Sequence, residues 1–530
     1  MQEEKFFDRK TYLEILEKRI CGFKQGFRQN LAIIGDESVG KTSIILRFLS
    51  KFYDNQIVIL YLEIRPDSLF SFIHRFIGVL LYNFLSNSSI PLEEDLDFLI
   101  QKAQRFIPKT TEKIKFILNN LNKSTKPKLF AETLLLCESL YLETGKSCVV
   151  IFDEFINLET MGIKYLYREW SRLLLLEKHT MYIIVSSLKF KTQAILSKDL
   201  SLLFGNFEVI SVEPFDIKTS EEYLDNRLTG LNLSQGLKGF LVHFTGGYPL
   251  YLEIITDALL KAKDISLPEL LENLLFDTSG ILNQKFSNYL KRFLDKPFGQ
   301  DCLSILYLIS CGHNKLKDII HLLSKPKKEV NNRINYLLDV DTVTKSGDFL
   351  KINDRVFGFW LRFVYQEKLN TLTFDAKNQK AIFRKNIEEM IRDFLASWVK
   401  PISQRLTELL HLFSDETIQI EKKRLKLNRF REIKPLQFNY EKFKEGLIGR
   451  SQDTLWILAI KADELNEQDI AEFSKECKKY RHKLQRKIIV TYNHPDVNAR
   501  LRALEEKVIT WDLNSLNQIL DYFSQPRIII

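Results

Sequence analysis

Residues Leu31–Tyr53 read LAIIGDESVGKTSIILRFLSKFY. LAII, Leu31–Ile34, is short and apolar enough for one buried parallel strand, and SIILRFLSKFY has helical periodicity. Between them, GDESVGKT is GxxxxGKT in the order strand, loop, helix, the context that defines a phosphate-binding loop. Its glycines let backbone N–H groups curl around phosphates, and the following helix N-terminus adds partial positive charge. Gly35, Asp36, Glu37, Ser38, Val39, Gly40, Lys41, Thr42 and Ser43 are therefore the candidate nucleotide-binding set. Lys41 is expected to reach the β- and γ-phosphates and Thr42 to ligate a metal, so ATP and Mg²⁺ are the expected cofactors.

A P-loop that hydrolyses needs carboxylates at the end of a second buried strand. SCVVIFDEF, Ser147–Phe155, supplies Asp153 for Mg²⁺ and Glu154 to polarise the attacking water. MYIIVSSL, Met181–Leu188, is a third strand ending in Ser186 and Ser187, and Ser187 is a sensor candidate for the γ-phosphate or the lytic water. A strand after the DE strand suggests a sheet in which one other strand separates the P-loop strand from the DE strand. Arg168 and Arg172 share a helix face, which is read as solvated or salt-bridged.

With FFDRKTYLEIL before the P-loop, VIFDEF, IIVSS and FTGGYPLYL, Phe244–Leu252, the chain resembles the archaeal-type ATPases of the signal-transducing, AAA+-related class. The resemblance spans about residues 5–525. It implies that Phe6 or Phe7 and Arg9 lie near the nucleotide base. It also implies that Gly246, Gly247 and Pro249 close over the nucleotide from a helical lid. No sensor arginine stands beside Pro249, and His243 is the nearest basic group.

The implied architecture is multidomain α/β: a P-loop ATPase core over 1–218, a helical lid over 219–296, a winged helix over 297–370 and a C-terminal domain over 381–530. The winged helix is read from three helical segments and a hairpin pairing Asp341–Lys345 with Phe349–Ile352. Lys325, Lys327, Lys328 and Arg333 open its third helix, a pattern suited to DNA or to packing against protein. The aromatic segment Asp354–Tyr365 is read as core. Asn87–Gly145 is an insertion, helical by pattern, with a lysine-rich middle read as a solvated face.

The resemblance further implies a PD-(D/E)xK nuclease-like fold at the C-terminus. Aligned on IGRS and LWILAIK, the positions expected to carry the metal-binding Asp and Glu hold Gly446 and Ala459, and only Lys461 remains. Glu408 alone cannot build a metal site, and Asp453 sits in a turn. The domain is expected to be an inactive, restriction-endonuclease-like α/β module. Two basic runs, Lys422–Lys434 with seven cations and Lys478–Lys487 with six, can track a phosphate backbone or serve as solvated, edge-blunting charge.

Composition fits a globular chain of 530 residues, 45% hydrophobic and 27% charged, with net charge +9. Six cysteines without metal-ligand spacing argue against a disulfide framework or zinc. The start lacks signal-peptide and lipidation patterns, and the apolar run near Phe76–Leu85 is about half a bilayer span. A cytoplasmic protein with no membrane partner is expected. The leading reading is an ATP-hydrolysing switch with effector modules for DNA or a protein partner. The alternative is a nucleic-acid-binding regulator that binds ATP with little hydrolysis.

Overall fold

The computed structural model describes residues 6–86, 93–201, 207–262, 265–370, 376–420, 423–443, 445–480 and 482–529. Lys422, Lys444, Arg481 and the 87–92 part of the insertion lie outside them. The chain forms two compact units. The first is Met1–Phe215 with Tyr248–Leu250 and Asp339–Asp341; the second is Asp216–Gly247, Tyr251–Leu338 and Thr342–Ile530.

The first unit is built on a parallel sheet of β1 (Leu31–Ile34), β2 (Ile57–Glu63), β3 (Ser147–Asp153), β4 (Thr180–Ser186) and β5 (Glu208–Ser211). Their order is β2-β3-β4-β1-β5, so β4 separates the P-loop strand from the DE strand. β1 and β4 are buried along their whole length, as the near-continuous apolar runs of a doubly covered parallel sheet require. Helix Leu69–Ser86 packs on this sheet, with Phe72 5.9 Å from Phe130 and 6.0 Å from Phe152 between ring centroids.

That helix corrects the expected short apolar run. Its 18 residues are long and apolar enough, by length and composition, to cross a bilayer. Phe72, Ile73, Phe76, Ile77, Leu80 and Leu81 are instead fully buried in the protein core. Ser71, His74 and Arg75 interrupt the apolar run before Phe76 in sequence but lie on the helix's polar side.

In the second unit, helices Ile217–Arg227, Gln235–Thr245, Leu267–Leu275 and Ile281–Leu294 precede three more, Gly299–Ser310, Leu316–Leu323 and Lys327–Asp339. A hairpin of β6 (Val343–Ser346) and β7 (Phe349–Ile352) follows. The observed register differs from the expected one: Ser346 pairs with Phe349, leaving a two-residue turn at Gly347 and Asp348. Gly347 takes φ 59°, the left-handed geometry that tight hairpins use. The aromatic segment forms helix Arg355–Trp360 and a π-turn Leu361–Tyr365, with Phe357 and Trp360 buried as expected and Trp360 Nε1 donating to Asn283 Oδ1 at 3.0 Å.

The C-terminal part holds a hairpin of β8 (Glu416–Ile420) and β9 (Lys423–Leu427). Beside it lies a mixed sheet of β10 (Glu432–Leu436), β11 (Glu445–Arg450), β12 (Leu455–Lys461), β13 (Leu484–Thr491) and β14 (Val508–Trp511), in that order. β10, β11 and β12 are antiparallel; β12, β13 and β14 are parallel and joined by helices Glu467–Cys477 and Val497–Glu505. Alternate residues of β12 feed two cores, Trp456, Leu458 and Ile460 on one face and Ile457 and Ala459 on the other.

The β6–β7 turn is held by β8. Asp348 N donates to Thr417 O at 2.9 Å, Thr417 N to Asp348 Oδ2 at 2.8 Å, and Ser346 Oγ to Gln419 O at 2.9 Å. Deeper in the same unit, Asp521 is ion-paired with Lys351 (2.6 Å), Arg527 (2.8 Å) and Arg355. Burial alone would raise the Asp521 carboxyl, yet Arg355, Arg527 and Lys351 hold it well below the usual carboxylate range. His243 is buried here, stacked on Phe394 with ring centroids 5.1 Å apart and beside Arg355. Burial first, then Arg355 and Arg527, push the imidazole well below its ordinary value.

His243 therefore stays neutral in the folded chain while it protonates in the unfolded chain below about pH 6.5. Stability is expected to fall as pH drops from 6.5, by up to about 1.4 kcal/mol per pH unit from this group. Urea titrations from pH 7 to 5 check this; in His243→Gln the stability should depend less steeply on pH over that window.

Candidate nucleotide site

The P-loop leaves β1 at Gly35 because nothing larger fits there: a Cβ would sit 2.4 Å from the carbonyl oxygen of Val212, just past β5. Ser38 (φ 71°) and Gly40 (φ 94°) take the left-handed conformations that curl the loop before helix Lys41–Lys51 begins.

Lys41 is 5% exposed and its ammonium donates to Gly35 O (3.0 Å), Asp36 O (2.8 Å) and Ser187 Oγ (3.0 Å). Burial pulls this group below the ordinary lysine value, against the pull of Glu154, Asp153 and Asp36. Ser187 Oγ in turn donates to Glu154 Oε1, so the serine at the end of β4 bridges the lysine and the candidate base. Thr42 Oγ1 donates to Asp153 Oδ2 at 2.7 Å, and Glu154 N donates to Asp153 Oδ1 at 3.0 Å. Glu154 has φ 52°, an uncommon conformation for a non-glycine residue that swings its carboxylate off the strand line. The loop lysine, the candidate metal-ligand pair and the candidate base thus meet at the C-terminal ends of β1, β3 and β4, where ligands bind in open parallel sheets. Thr42 and Asp153 present hard oxygen atoms side by side, a donor set that suits Mg²⁺.

Three residues were missed by sequence reading. Tyr61, near the C-terminal end of β2, donates to Asp153 Oδ2 at 3.0 Å; burial and then Asp153 push its phenol well up. Lys189 Nζ lies 2.8 Å from Asp36 Oδ1, and Tyr248 OH donates to Asp36 Oδ2 at 3.0 Å. Tyr61 was findable, since it sits at the ligand-binding end of an apolar strand. Lys189 and Tyr248 reach the loop only through the tertiary fold.

Other candidates have different surroundings. Arg9 is buried, donating to Val39 O (3.3 Å) and Glu213 O (2.7 Å), with its guanidinium 4.6 Å from the Phe215 ring centroid. It buttresses the outside of the loop. Phe7 meets Phe215 edge-on at 6.1 Å, and Phe6 lies under Arg47. Pro249 begins helix Pro249–Lys261 directly after Tyr248. Arg172 is exposed and paired with Glu169 at 2.9 Å, and Arg168 is exposed.

In the C-terminal sheet, Gly446 and Ala459 are direct cross-strand neighbours, and Lys461 follows two residues on along β12. Both positions are closely packed. A Cβ on Gly446 would lie 2.2 Å from Phe438, and Ala459 is buried in the core with Phe443 and Phe473. Lys461 is buried and 3.7 Å from Asp469, a carboxylate on the following helix that also accepts from Tyr440 OH at 2.8 Å. Glu408 is bound to Lys400 at 2.7 Å. Asp453 stands at the Leu455 end of β12, opposite Lys461, so it cannot replace the missing ligand. No cluster of three or more potential metal-ligating His, Cys, Asp or Glu side chains occurs among the described residues.

No family model and no curated protein matches the chain. Among solved structures it is similar to a Walker-type ATPase of Pyrococcus abyssi, at 19% identity over 68% of this chain and 97% of that one, with TM-score 0.49. It is also similar to the ORC2 protein of Aeropyrum pernix in ADPNP–ADP complexes, at 10% identity over 74% and 96%, TM-score 0.41. The RuvB Holliday junction branch migration motor of Thermotoga maritima matches at 11% identity over 70% and 98%, TM-score 0.29.

The close approach at Gly35 gives a direct test of the loop geometry. Gly35→Ala should lose about 1–3 kcal/mol of stability, because β5 has to be displaced to admit the methyl group. Chemical denaturation measures it; a variant as stable as the parent would contradict the contact with Val212.

Proposed function

We propose that the chain is a Mg²⁺-dependent ATP-hydrolysing switch. The observation that carries the reading is the continuous set Lys41–Ser187–Glu154 beside Thr42–Asp153. The loop amides and Lys41 bind the phosphates, and charge-assisted bonds from this lysine strengthen as γ-phosphate charge shifts toward the leaving oxygen. Thr42 and Asp153 would hold Mg²⁺, which would supply charge neutralisation to the phosphates. Tyr61 keeps Asp153 turned toward Thr42. Glu154 orients water and accepts its proton, once released from Ser187. Asp36, with Lys189 and Tyr248 on its two oxygens, keeps the loop's first turn in shape.

A second reading, ATP binding with little hydrolysis, is favoured by one observation. The Glu154 carboxylate accepts a hydrogen bond from Ser187, a partner that competes with water for the candidate base. In both readings the helices over 299–339 with the β6–β7 hairpin act as a winged-helix module. The sheet β10–β14 acts as a nuclease-like module without nuclease activity, and either one engages DNA or a protein partner. The exposed Lys327 and Lys328 are free to meet phosphates, whereas Lys325 and Arg333 are tied to Asp301 at 2.5 Å and 3.3 Å.

Lys41→Ala is expected to weaken ATP binding. Glu154→Gln should keep binding and lose turnover roughly 10²–10⁴-fold. Isothermal titration and phosphate release measure the two; tight binding by Lys41→Ala would falsify the assignment. For the C-terminal module, plasmid and single-strand cleavage with Mg²⁺ or Mn²⁺ should be nil. Cleavage abolished by Lys461→Ala would show that these packed positions open into a metal site.

A further inference from the structure

The two basic runs of the C-terminal domain are separated by more than forty residues of sequence, yet the fold joins them. Asn428, just past β9, donates from Nδ2 to Thr454 Oγ1 (3.1 Å) and to Gln485 Oε1 (2.7 Å). Leu455 N donates to Lys483 O at 2.8 Å, and Arg431 N donates to Arg450 O at 2.7 Å. These bonds gather Arg429, Arg431, Arg450 and Lys483 at the end of the sheet where β12 begins. Lys461 and Gly446 lie at the other end, and the seven residues of β12 put about 20 Å between the two. The basic end is therefore spatially separate from Gly446, Ala459 and Lys461.

Arg429, Arg431 and Lys483 are exposed, and none has a carboxylate partner among the described residues. Arg450 is 3.8 Å from Glu432, which also pairs with Lys434. Among the described residues Glu432 and Asp453 are interspersed at this end, and Asp415, whose N donates to Leu427 O at 2.9 Å, lies nearby and pairs with Lys426 at 3.4 Å. The contrast with helix Lys327–Asp339 is physical: there Lys325 and Arg333 already spend their charge on Asp301.

We propose that this end of the C-terminal sheet binds the phosphate backbone of a nucleic acid. Guanidinium forks on hydrogen-bonded backbone match phosphate oxygens in pairs, which a point-charge lysine surface does not. A membrane surface is disfavoured, because basic membrane-binding faces also carry apolar side chains. None of the large apolar residues between Lys423 and Lys487 that the structure describes is exposed. Because Asn428, Thr454 and Gln485 hold the surface together through side-chain bonds, it is preformed rather than ordered on binding.

The inference deepens the proposed partner reading and is independent of the nucleotide site, since its test is run without ATP; failed hydrolysis leaves it standing. Fluorescence anisotropy of the full chain at ~50 mM salt would use a labelled DNA duplex and the same sequence as duplex RNA. Phosphatidylserine vesicles and polyglutamate serve as the other polyanions. Arg429→Ala/Arg431→Ala/Lys483→Ala should weaken duplex binding at least about tenfold and reduce the slope of log K against log salt by up to about 2.7, at roughly 0.9 per phosphate contact. Lys327→Ala/Lys328→Ala should change affinity by less than about threefold. All five positions are exposed, and circular dichroism verifies folding. DNA binding at least as tight as RNA binding assigns a DNA backbone, and the reverse assigns RNA. Unchanged binding by the triple variant, no duplex binding at micromolar protein, or tighter binding to vesicles or polyglutamate would overturn the proposal.

Discussion

A lysine ammonium held out of water is the constraint on which the first unit depends. Desolvating such an ion costs several kcal/mol unless partners surround it. Lys41 finds them in two carbonyls of its own loop, in Ser187 and in the nearby carboxylates of Asp153, Glu154 and Asp36. Each partner is delivered by a different element: β1 and its loop, the end of β4, and the end of β3. The sheet order β3-β4-β1 is what sets these ends side by side. Gly35 can leave β1 only because it lacks a Cβ to strike the Val212 carbonyl. In the proposed function an anionic phosphate would take the place of the loop carbonyls, so the burial that disfavours an unpartnered ammonium would favour such a ligand.

Much of this was legible in the chain. LAII, SCVVIFD and TMYIIVS are buried on both faces, so they read as uninterrupted apolar runs, and the residues that end them are the ones that meet at the site. What could not be read depends on distant residues. Lys189 is unremarkable in sequence, Tyr248 lies within the quoted FTGGYPLYL segment without a role of its own there, and both acquire a role through Asp36. The β6–β7 register differs from the expected one, with Ser346 bonded on β8 as well as paired in its own hairpin. The sequence shows Gly446 and Ala459 without acidic side chains but not their packing: Phe438 crowds Gly446, and Ala459 shares a core with Phe443 and Phe473.

The second unit follows a different rule, with charge buried for adhesion between its parts. Asp521 accepts from Lys351, Arg355 and Arg527, which come from β7, the helix after it and the C-terminal tail. Together with the Thr417 and Gln419 bonds to the β6–β7 turn, this makes the hairpin and the C-terminal sheet one packed body. A hairpin tip whose backbone is already bonded is not free to enter a DNA groove. Arg429, Arg431 and Lys483 at the far end of the sheet, without a carboxylate partner among the described residues, are less constrained than this hairpin.

The central claim is that Lys41, Thr42, Asp153 and Glu154 form a working phosphate–metal–water site. Single-turnover release of γ-phosphate from ATP by the unmodified chain, with Mg²⁺ and then with EDTA, tests it most directly. The account predicts slow release that stops when the metal is removed. Release that is indifferent to EDTA, or none over hours at saturating ATP and Mg²⁺, would contradict it.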